Sequence, residues 1–237
     1  APATVHSLFT TRHGGVSSGP YASLNLGSHV GDDPEAVAAN RARLARVLPQ
    51  APVWLEQVHG TVVVDLDRLP PDSLAPPADA VVARSPGRVA AIMTADCLPV
   101  LFCNRAGTAV AAAHAGWRGL QAGVLEAAVT ALDCPPEEVL AWLGPAIGPL
   151  AFEVGDEVRA ALVDDAPQAA LAFQAQGEGK WLADIYLLAR QRLAARGVHA
   201  VYGGQWCTVS EPVRFFSYRR DGVTGRMAAL IWLAPGG

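Results

Sequence analysis

Three short segments of the sequence contain side chains that bind metals or act as catalytic groups in many proteins. His59 and His114 are each closely followed by glycine, and Cys97 follows Asp96. Each segment lies at the end of a predicted strand or in the turn after it, where functional groups usually sit. Two imidazoles and one thiolate form a donor set suited to zinc, with copper as the alternative. If the three side chains converge, a fourth coordination position stays open to water or substrate, which predicts a catalytic metal site.

The spacing of these residues leaves other interpretations open. No two of them are close enough in sequence to form the short chelates of zinc fingers or HExxH helices. A lone histidine at a strand end is often structural. Alternatively, Cys97 is a nucleophile and His59 or His114 is its base, as in a hydrolase without a metal. Copper-dependent oxidation of phenols is a less favoured alternative, because a multicopper site needs many histidines and the chain has six. A non-catalytic binding module is less favoured still.

The composition indicates a globular protein that folds on its own. The chain has 237 residues, of which 51% are hydrophobic and 17% charged, and this is enough to bury a core without disulfides or oligomerisation. The net charge of -4 is scattered, which argues against a nucleic-acid-binding surface over the whole molecule. The apolar stretches are too short for a membrane span, and residues 1–12 lack a signal-peptide pattern. We therefore expect a cytoplasmic monomer with its four cysteines mostly reduced.

The order of predicted elements indicates the fold class. Runs rich in β-branched residues predict strands over residues 6–12, 53–58, 62–66, 80–83, 89–94, 99–102, 108–114, 139–143, 199–202 and 227–233. Periodicity and capping signals predict a helix that begins near Pro34 and further helices over residues 118–132, 156–163 and 181–195. Because strands and helices do not alternate strictly, we expect an α+β fold. Residues 1–237 are expected to form one domain, with a surface loop over 69–77.

The residues that flank the candidate ligands are stronger evidence for a functional site than the spacing of the ligands. The most specific are His114-Ala115-Gly116-Trp117-Arg118-Gly119 and Ala95-Asp96-Cys97. Seven further runs occur over residues 11–17, 23–27, 31–33, 40–41, 57–60, 144–148 and 216–220. Through these runs, over nearly its whole length, the chain resembles the YfiH/laccase-domain family of purine nucleoside phosphorylases.

The resemblance implies a fold, a site and an activity. The expected fold is a single-domain sandwich of mixed β-sheet flanked by helices. The resemblance implies a metal held by His59, Cys97 and His114. It also implies phosphorolysis of adenosine, inosine and methylthioadenosine, together with adenosine deamination, by the same site. The expected partners are therefore a purine nucleoside and phosphate, with no nucleic acid and no membrane.

The implied reactions suggest roles for further residues. Phosphorolysis requires cations around the phosphate, and the candidate cations are the guanidinium groups of Arg12, Arg41, Arg118 and Arg219. Asp96 is a candidate anchor for the metal site or a carrier of protons, although an aspartate there also suits the cap of a turn. The candidate substrate contacts are His13, Asn25 and Gln57; a solvated His13 and a backbone-bound Gln57 are the structural alternatives.

The resemblance also extends the hydrolase alternative. Related bacterial proteins are linked to quality control of cell-wall peptide precursors, so such peptides are the candidate substrates of a hydrolase that uses Cys97.

Overall fold

The computed structural model describes residues 1–70 and 76–235. The strands are β1 Val5–Phe9, β2 Val63–Asp65, β3 Ala80–Ala83, β4 Ala90–Thr94, β5 Leu98–Asn104, β6 Val110–Ala115, β7 Val139–Leu143, β8 Glu153–Gly155, β9 Phe173–Gly177, β10 Lys180–Ala183, β11 Ala200–Gly203 and β12 Met227–Leu233. The α-helices are α1 Pro34–Ala45, α2 Trp117–Ala122, α3 Val124–Ala131, α4 Asp156–Asp165, α5 Ile185–Ala195 and α6 Tyr218–Asp221. Within the described ranges, no helix combines the length and apolar character that crossing a bilayer requires.

The largest sheet has six strands in the order β11-β7-β5-β6-β3-β2. β11 pairs with β7 in parallel and β2 with β3 in parallel, whereas the other neighbours are antiparallel. Successive side chains of a strand point to opposite faces. In β5, Val100 and Phe102 belong to one core, and Leu101 and Cys103 belong to another. Both faces of this sheet are therefore covered.

Different layers cover the two faces. On one face, α3 and α5 contribute buried residues such as Val129 and Leu188. On the other face lies a second sheet in the order β1-β12-β4, which contributes Ile92 and Ala229. The outer side of this second sheet is covered by α1 through Leu44. The prediction of an α+β fold, a mixed-sheet sandwich flanked by helices, is confirmed.

The helix predicted over residues 118–132 is interrupted. Gly123 has a φ of 100°, a left-handed conformation that suits glycine, and it separates α2 from α3. The apolar stripe continues across the break because Leu120 and Val124 are both fully buried. A helical pattern alone therefore did not reveal the change of direction.

The helix predicted over residues 181–195 begins too early. Trp181 and Leu182 lie in β10, which pairs with β8 and β9 in a third, three-stranded sheet. Asp184 then caps α5 by accepting a hydrogen bond from the backbone N–H of Leu187 at 2.9 Å. The spacing of the apolar residues at the start of this segment is compatible with a helix or a strand. Pairing of β10 with β8 and β9 makes it a strand.

The strand predicted over residues 53–58 is wrong, because Glu56 forms only an isolated bridge with Pro77 in this segment. The remaining predicted strands agree with the structure within three residues at each end. Of the loop predicted over 69–77, residues 71–75 lie outside the described part of the chain.

The strand register places the candidate ligands at one end of the large sheet. Leu98, at the start of β5, pairs with Ala115 at the end of β6. Ala80, at the start of β3, pairs with Ala113 of β6. Because these neighbours are antiparallel and β2 runs parallel to β3, the turn before β5, the end of β6 and the segment before β2 meet at the same edge.

We predict that Gly123→Ala lowers the free energy of unfolding by about 1–2 kcal/mol, because an L-residue is strained in the left-handed conformation. Urea denaturation followed by circular dichroism measures the change. In an ordinary helical backbone, the same substitution would stabilise the protein by about 0.5–1 kcal/mol, so a stabilised variant would contradict the helix break.

Candidate metal centre

The structure brings His59, Cys97 and His114 together. One donor atom from each lies within 4.8 Å of the others, and Sγ of Cys97 is 3.8 Å from Nε2 of His59. The two imidazole rings meet edge to face, with their centroids 4.8 Å apart. His114 is buried, Cys97 half-buried and His59 exposed. The group is therefore anchored in the protein on one side and accessible on the other.

The absence of a side chain at Gly116 permits this close approach. A Cβ atom at this position would lie 2.7 Å from Cδ2 of His59 and 3.0 Å from Sγ of Cys97. Any other residue would therefore push the two donors away from each other.

Asp79 connects the two histidines, although sequence reasoning missed it. Its fully buried carboxylate accepts a hydrogen bond from the backbone N–H of His59 at 2.9 Å and bonds to Nδ1 of His114 at 2.8 Å. It also accepts from the N–H groups of Val58 at 3.1 Å and Gly60 at 2.6 Å. Because Nδ1 of His114 is occupied, Nε2 is the nitrogen left for a metal.

The same carboxylate holds the His59 turn in its conformation. His59 has a φ of 62°, which is uncommon for a residue with a side chain. Three successive N–H groups point at one carboxylate, an arrangement that stabilises negative charge. The sequence signal for Asp79 was its position as the lone charged residue in the apolar run 78–83.

The electrostatics of the group favour a thiolate. Burial alone would raise the pKa of Cys97, but the charges and hydrogen bonds of His114 and His59 lower it to about 6. Burial would lower the pKa of His114, but the Cys97 thiolate and Asp79 raise it. The pKa of Asp79 is lowered in spite of its burial, chiefly by the hydrogen bond to His114. Without a metal, the group is a thiolate–imidazolium pair supported by a carboxylate.

The residues fit a transition metal. A thiolate and two imidazoles are the donor types preferred by zinc and copper, and Gly116 leaves room for them to converge. Asp79 supplies the outer hydrogen bond that orients a ligating histidine in most metal sites.

Two cavities border this group: all three donors lie in the wall of the first, and His59 and Cys97 also lie in the wall of the second. The first, here called the Arg226 cavity, has a volume of about 380 Å³, and its wall includes His29, Gln57 and Arg226. The second, here called the Arg118 cavity, has a volume of about 270 Å³, and its wall includes Arg118 and Phe152. The residues common to both walls are His59, Ala95, Cys97 and Tyr218. A substrate that spans both cavities would therefore pass His59 and Cys97.

Four of the predicted substrate residues line cavities. Arg118 and Arg219 lie in the wall of the Arg118 cavity. Gln57 lies in the wall of the Arg226 cavity, where its amide bonds both ways to the backbone of Met93 at 2.8 Å. Arg41 lines a neighbouring cavity that shares Gln57 and Met93 with the Arg226 cavity.

Three other predicted substrate residues lie outside the walls of the Arg226 and Arg118 cavities. The guanidinium of Arg12 donates to the carbonyl oxygens of Ala22 and Pro212, which holds two loops together. Asn25 is fully buried and bonds to neighbouring loop groups. His13 is exposed in the loop before Gly14.

Asp96 holds the Cys97 turn in place. It has a φ of 93°, and it accepts hydrogen bonds from Oγ1 of Thr208 at 2.5 Å and from the backbone N–H of Arg219 at 2.6 Å. Both carboxylate oxygens therefore connect the turn before β5 to the distant segment 208–219.

The fold and the site define an α+β sandwich domain in which the described residues include a group of two histidines and one cysteine that fits a metal ion, beside two cavities. The family model described as "Multi-copper polyphenol oxidoreductase laccase" matches residues 6–234. The chain belongs to this family, which confirms the resemblance seen in the sequence.

Relatives with curated names cover almost the whole chain. Purine nucleoside phosphorylase YfiH of Escherichia coli strain K12 is 60% identical over 234 residues, which cover 98% of this chain and 95% of the relative. A purine nucleoside phosphorylase of Pseudomonas aeruginosa is 58% identical with the same coverage.

Solved structures support the fold. A crystal structure of a Neisseria meningitidis protein of the DUF152 family has a TM-score of 0.93 at 56% identity, and the match covers 99% of this chain and 96% of that one. YlmD from Geobacillus stearothermophilus has a TM-score of 0.91 at 36% identity, with coverage of 99% and 94%.

We predict that iodoacetamide alkylates Cys97 in metal-stripped protein with a half-maximal rate near pH 6, because its thiolate persists down to that pH. Peptide mass spectrometry across a pH series measures the rate at each cysteine. Half-buried Cys134, whose pKa is raised by burial and nearby carboxylates, is the internal control and should react only at much higher pH. Added Zn²⁺ should protect Cys97, and unchanged alkylation would argue against its role as a ligand.

We predict that Asp79→Asn weakens Zn²⁺ binding by about 10- to 100-fold, because the amide cannot accept all four hydrogen bonds. Competition with a chromophoric chelator measures the affinity. Asp164→Asn, which removes an exposed carboxylate on α4, is the matched control and should leave the affinity unchanged. Equal affinities of the two variants would show that Asp79 does not position the ligands.

Proposed function

We propose that this chain is a zinc-dependent purine nucleoside phosphorylase that accepts adenosine, inosine and methylthioadenosine and also deaminates adenosine. The observation that carries the proposal is the His59, Cys97 and His114 group, which borders two cavities with arginines in their walls. The names of relatives at 58% and 60% identity support the same activity.

The proposed cofactor is zinc, held by His59, Cys97 and His114. When bound, zinc supplies Lewis acidity and can acidify water for deamination. Asp79 keeps His114 oriented and neutralises part of the charge of the site. The N–H groups of Val58, His59 and Gly60 are bound by Asp79, which holds the turn in this conformation.

The Arg118 cavity suits a purine base. Its wall includes the apolar side chains of Ile147, Phe152 and Ile185, which would exclude water from the base. Arg118 lies over the ring of Trp117 at 4.5 Å. In this arrangement arginine can also donate hydrogen bonds to the acceptor atoms of a purine.

Asp96 positions the site in this proposal. Its two oxygens are engaged by Thr208 and by the backbone of Arg219, so a role as a proton carrier would require breaking both bonds. Gln57 is likewise held by the backbone of Met93, so its effect on substrate is through the shape of the cavity wall.

The cysteine hydrolase is the second candidate function, because the pKa of Cys97 is lowered and His59 lies 3.8 Å from its sulfur. Cell-wall peptide precursors are the substrates of this alternative. Copper-dependent oxidation of phenols is less favoured, since the described residues contain one group of three donors and a multicopper site needs more. The cytoplasmic location and the monomeric state stay predictions.

We predict that purified, zinc-loaded protein converts adenosine and phosphate to adenine and ribose 1-phosphate, and converts adenosine to inosine when phosphate is omitted. Chromatography of the products measures both reactions. His114→Ala should lower both rates by more than about 100-fold, because it removes a ligand of the metal. His199→Ala, at an exposed histidine on another part of the chain, is the matched control.

Two results would contradict the proposal. Metal-stripped protein could keep its full activity toward adenosine and lose that activity when Cys97 is alkylated. This result would favour the hydrolase mechanism. Absence of both products at substrate-level enzyme concentration would exclude the nucleoside reactions.

A further inference from the structure

One wall of the Arg226 cavity carries positive charge that no ion pair neutralises within the described residues. Arg226 is partly buried, and Nη1 donates to the carbonyl oxygens of Thr224 and Gly225 at 3.1 Å. Within the described ranges, its Nε and Nη2 have no hydrogen-bond partner and it forms no salt bridge. A guanidinium at a cavity wall with unused donors suits an anionic ligand.

Two further basic side chains lie close to Arg226. His29 is in the same wall, and Arg41 lines the neighbouring cavity, which also includes His29. The pKa of His29 is lowered by partial burial and by the positive charges of Arg226 and Arg41. His29 therefore lies in the walls of both cavities, between a wall that includes Arg226 and a wall that includes Arg41, and an anion beside His29 would offset the charges of both arginines.

The described residues in the wall of the Arg226 cavity include no carboxylate. The negative groups that attract Arg226 include Asp96 and Cys97, and Cys97 lies in the wall of the same cavity. Asp96 binds Thr208 and the backbone of Arg219, and Cys97 belongs to the ligand group. With a metal bound to Cys97, the charge of Arg226 is available to a ligand.

The position of Arg226 is built into the fold. Its backbone N–H donates to Oδ1 of buried Asn25 at 2.8 Å. Its side chain passes over Gly27, where a Cβ atom would lie 2.8 Å from Cγ of Arg226. Asn25, predicted from the sequence as a substrate contact, is here a positioning residue for an arginine that the sequence did not indicate.

The wall of the Arg118 cavity is less suited to an anion, although its arginines resemble Arg226. Arg219 donates to the carbonyl oxygen of Glu153 at 2.8 Å and lies over the ring of Phe152. Arg226 likewise donates to two carbonyl oxygens and lies over the ring of Tyr218 at 5.8 Å. The wall of that cavity also includes the carboxylate of Asp96. A carboxylate and several apolar side chains thus distinguish the Arg118 cavity, whereas the described wall of the Arg226 cavity includes no carboxylate, and an anion is favoured in the Arg226 cavity.

We propose that Arg226, His29 and Arg41 form the subsite for inorganic phosphate, and that the purine base occupies the Arg118 cavity on the other side of the His59 and Cys97 side chains. This inference rests on the proposed phosphorolysis and assigns its two substrates to separate cavities.

The arrangement is consistent with a balanced displacement. A phosphate oxygen from the Arg226 side forms a bond to the anomeric carbon of the ribose. The electron pair of the bond between that carbon and the purine nitrogen leaves with the base on the Arg118 side. The proton of hydrogen phosphate is transferred overall to the departing base. The products are the free purine and ribose 1-phosphate, with no oxidant or reductant.

We expect Arg226→Gln to weaken the binding of inorganic phosphate to the zinc-loaded protein by tenfold or more, measured by titration calorimetry, because charged hydrogen bonds are lost. Its KM for phosphate should rise by a similar factor, whereas its KM for adenosine should change less than about threefold. Arg226→Lys should recover part of the phosphate affinity. Arg105→Gln removes the same charge near Glu137, at a surface away from both cavities, and is the matched control.

A measurement on the unaltered protein covers the case in which Arg226→Gln fails to fold. Phosphate should protect Arg226, but not Arg105, from modification by phenylglyoxal, as read by peptide mass spectrometry. Lack of protection would overturn the assignment. So would equal phosphate affinities of Arg226→Gln and Arg105→Gln, or a larger loss of phosphate affinity in Arg118→Gln.

The outcomes also separate this inference from the proposed function. Phosphate binding that depends on Arg226, without cleavage of any nucleoside, would support the subsite and contradict the phosphorylase. Nucleoside cleavage with an unchanged KM for phosphate in Arg226→Gln would contradict the subsite alone.

Discussion

The buried carboxylate of Asp79 is the interaction on which the site depends. It joins three parts of the chain: the turn at His59, the start of β3 and the end of β6 at His114. A buried charge is costly unless it is fully hydrogen-bonded, and this carboxylate accepts three backbone N–H groups and one imidazole. The cost of its burial is thus offset only when both histidines are in place, so folding and assembly of the ligand group are coupled.

Arginines of similar appearance in the sequence have different roles in the structure. Arg12 and Arg220 bind backbone carbonyl oxygens and connect loops around the site. Arg118 and Arg219 lie over aromatic rings in one cavity wall, and Arg226 lies over the ring of Tyr218 and donates to two carbonyl oxygens in the other. The role of each guanidinium is decided by which acceptors surround it, because arginine stays charged and must satisfy its donors wherever it lies.

The competing functions use the same residues because they use the same chemistry. A thiolate stabilised by two imidazoles is both a ligand for a metal and a nucleophile. The family description refers to several coppers, whereas the described residues contain one group of three donors. Binding of a metal to Cys97 would remove its free thiolate, so metal content separates these mechanisms.

The sequence by itself determined the element types of most of the chain and the identity of the three ligand candidates. Strand periodicity identified β3, β7 and β12 correctly, and local motifs singled out His59, Cys97 and His114. Local patterns marked Asp79 as a lone charge in an apolar run, but they could not show that Asp79 or Arg226 lies at the site. Asp79 meets His114 across 35 positions, and Arg226 is held by Asn25 across 201. Such contacts depend on strand register and loop packing, which only the tertiary structure decides.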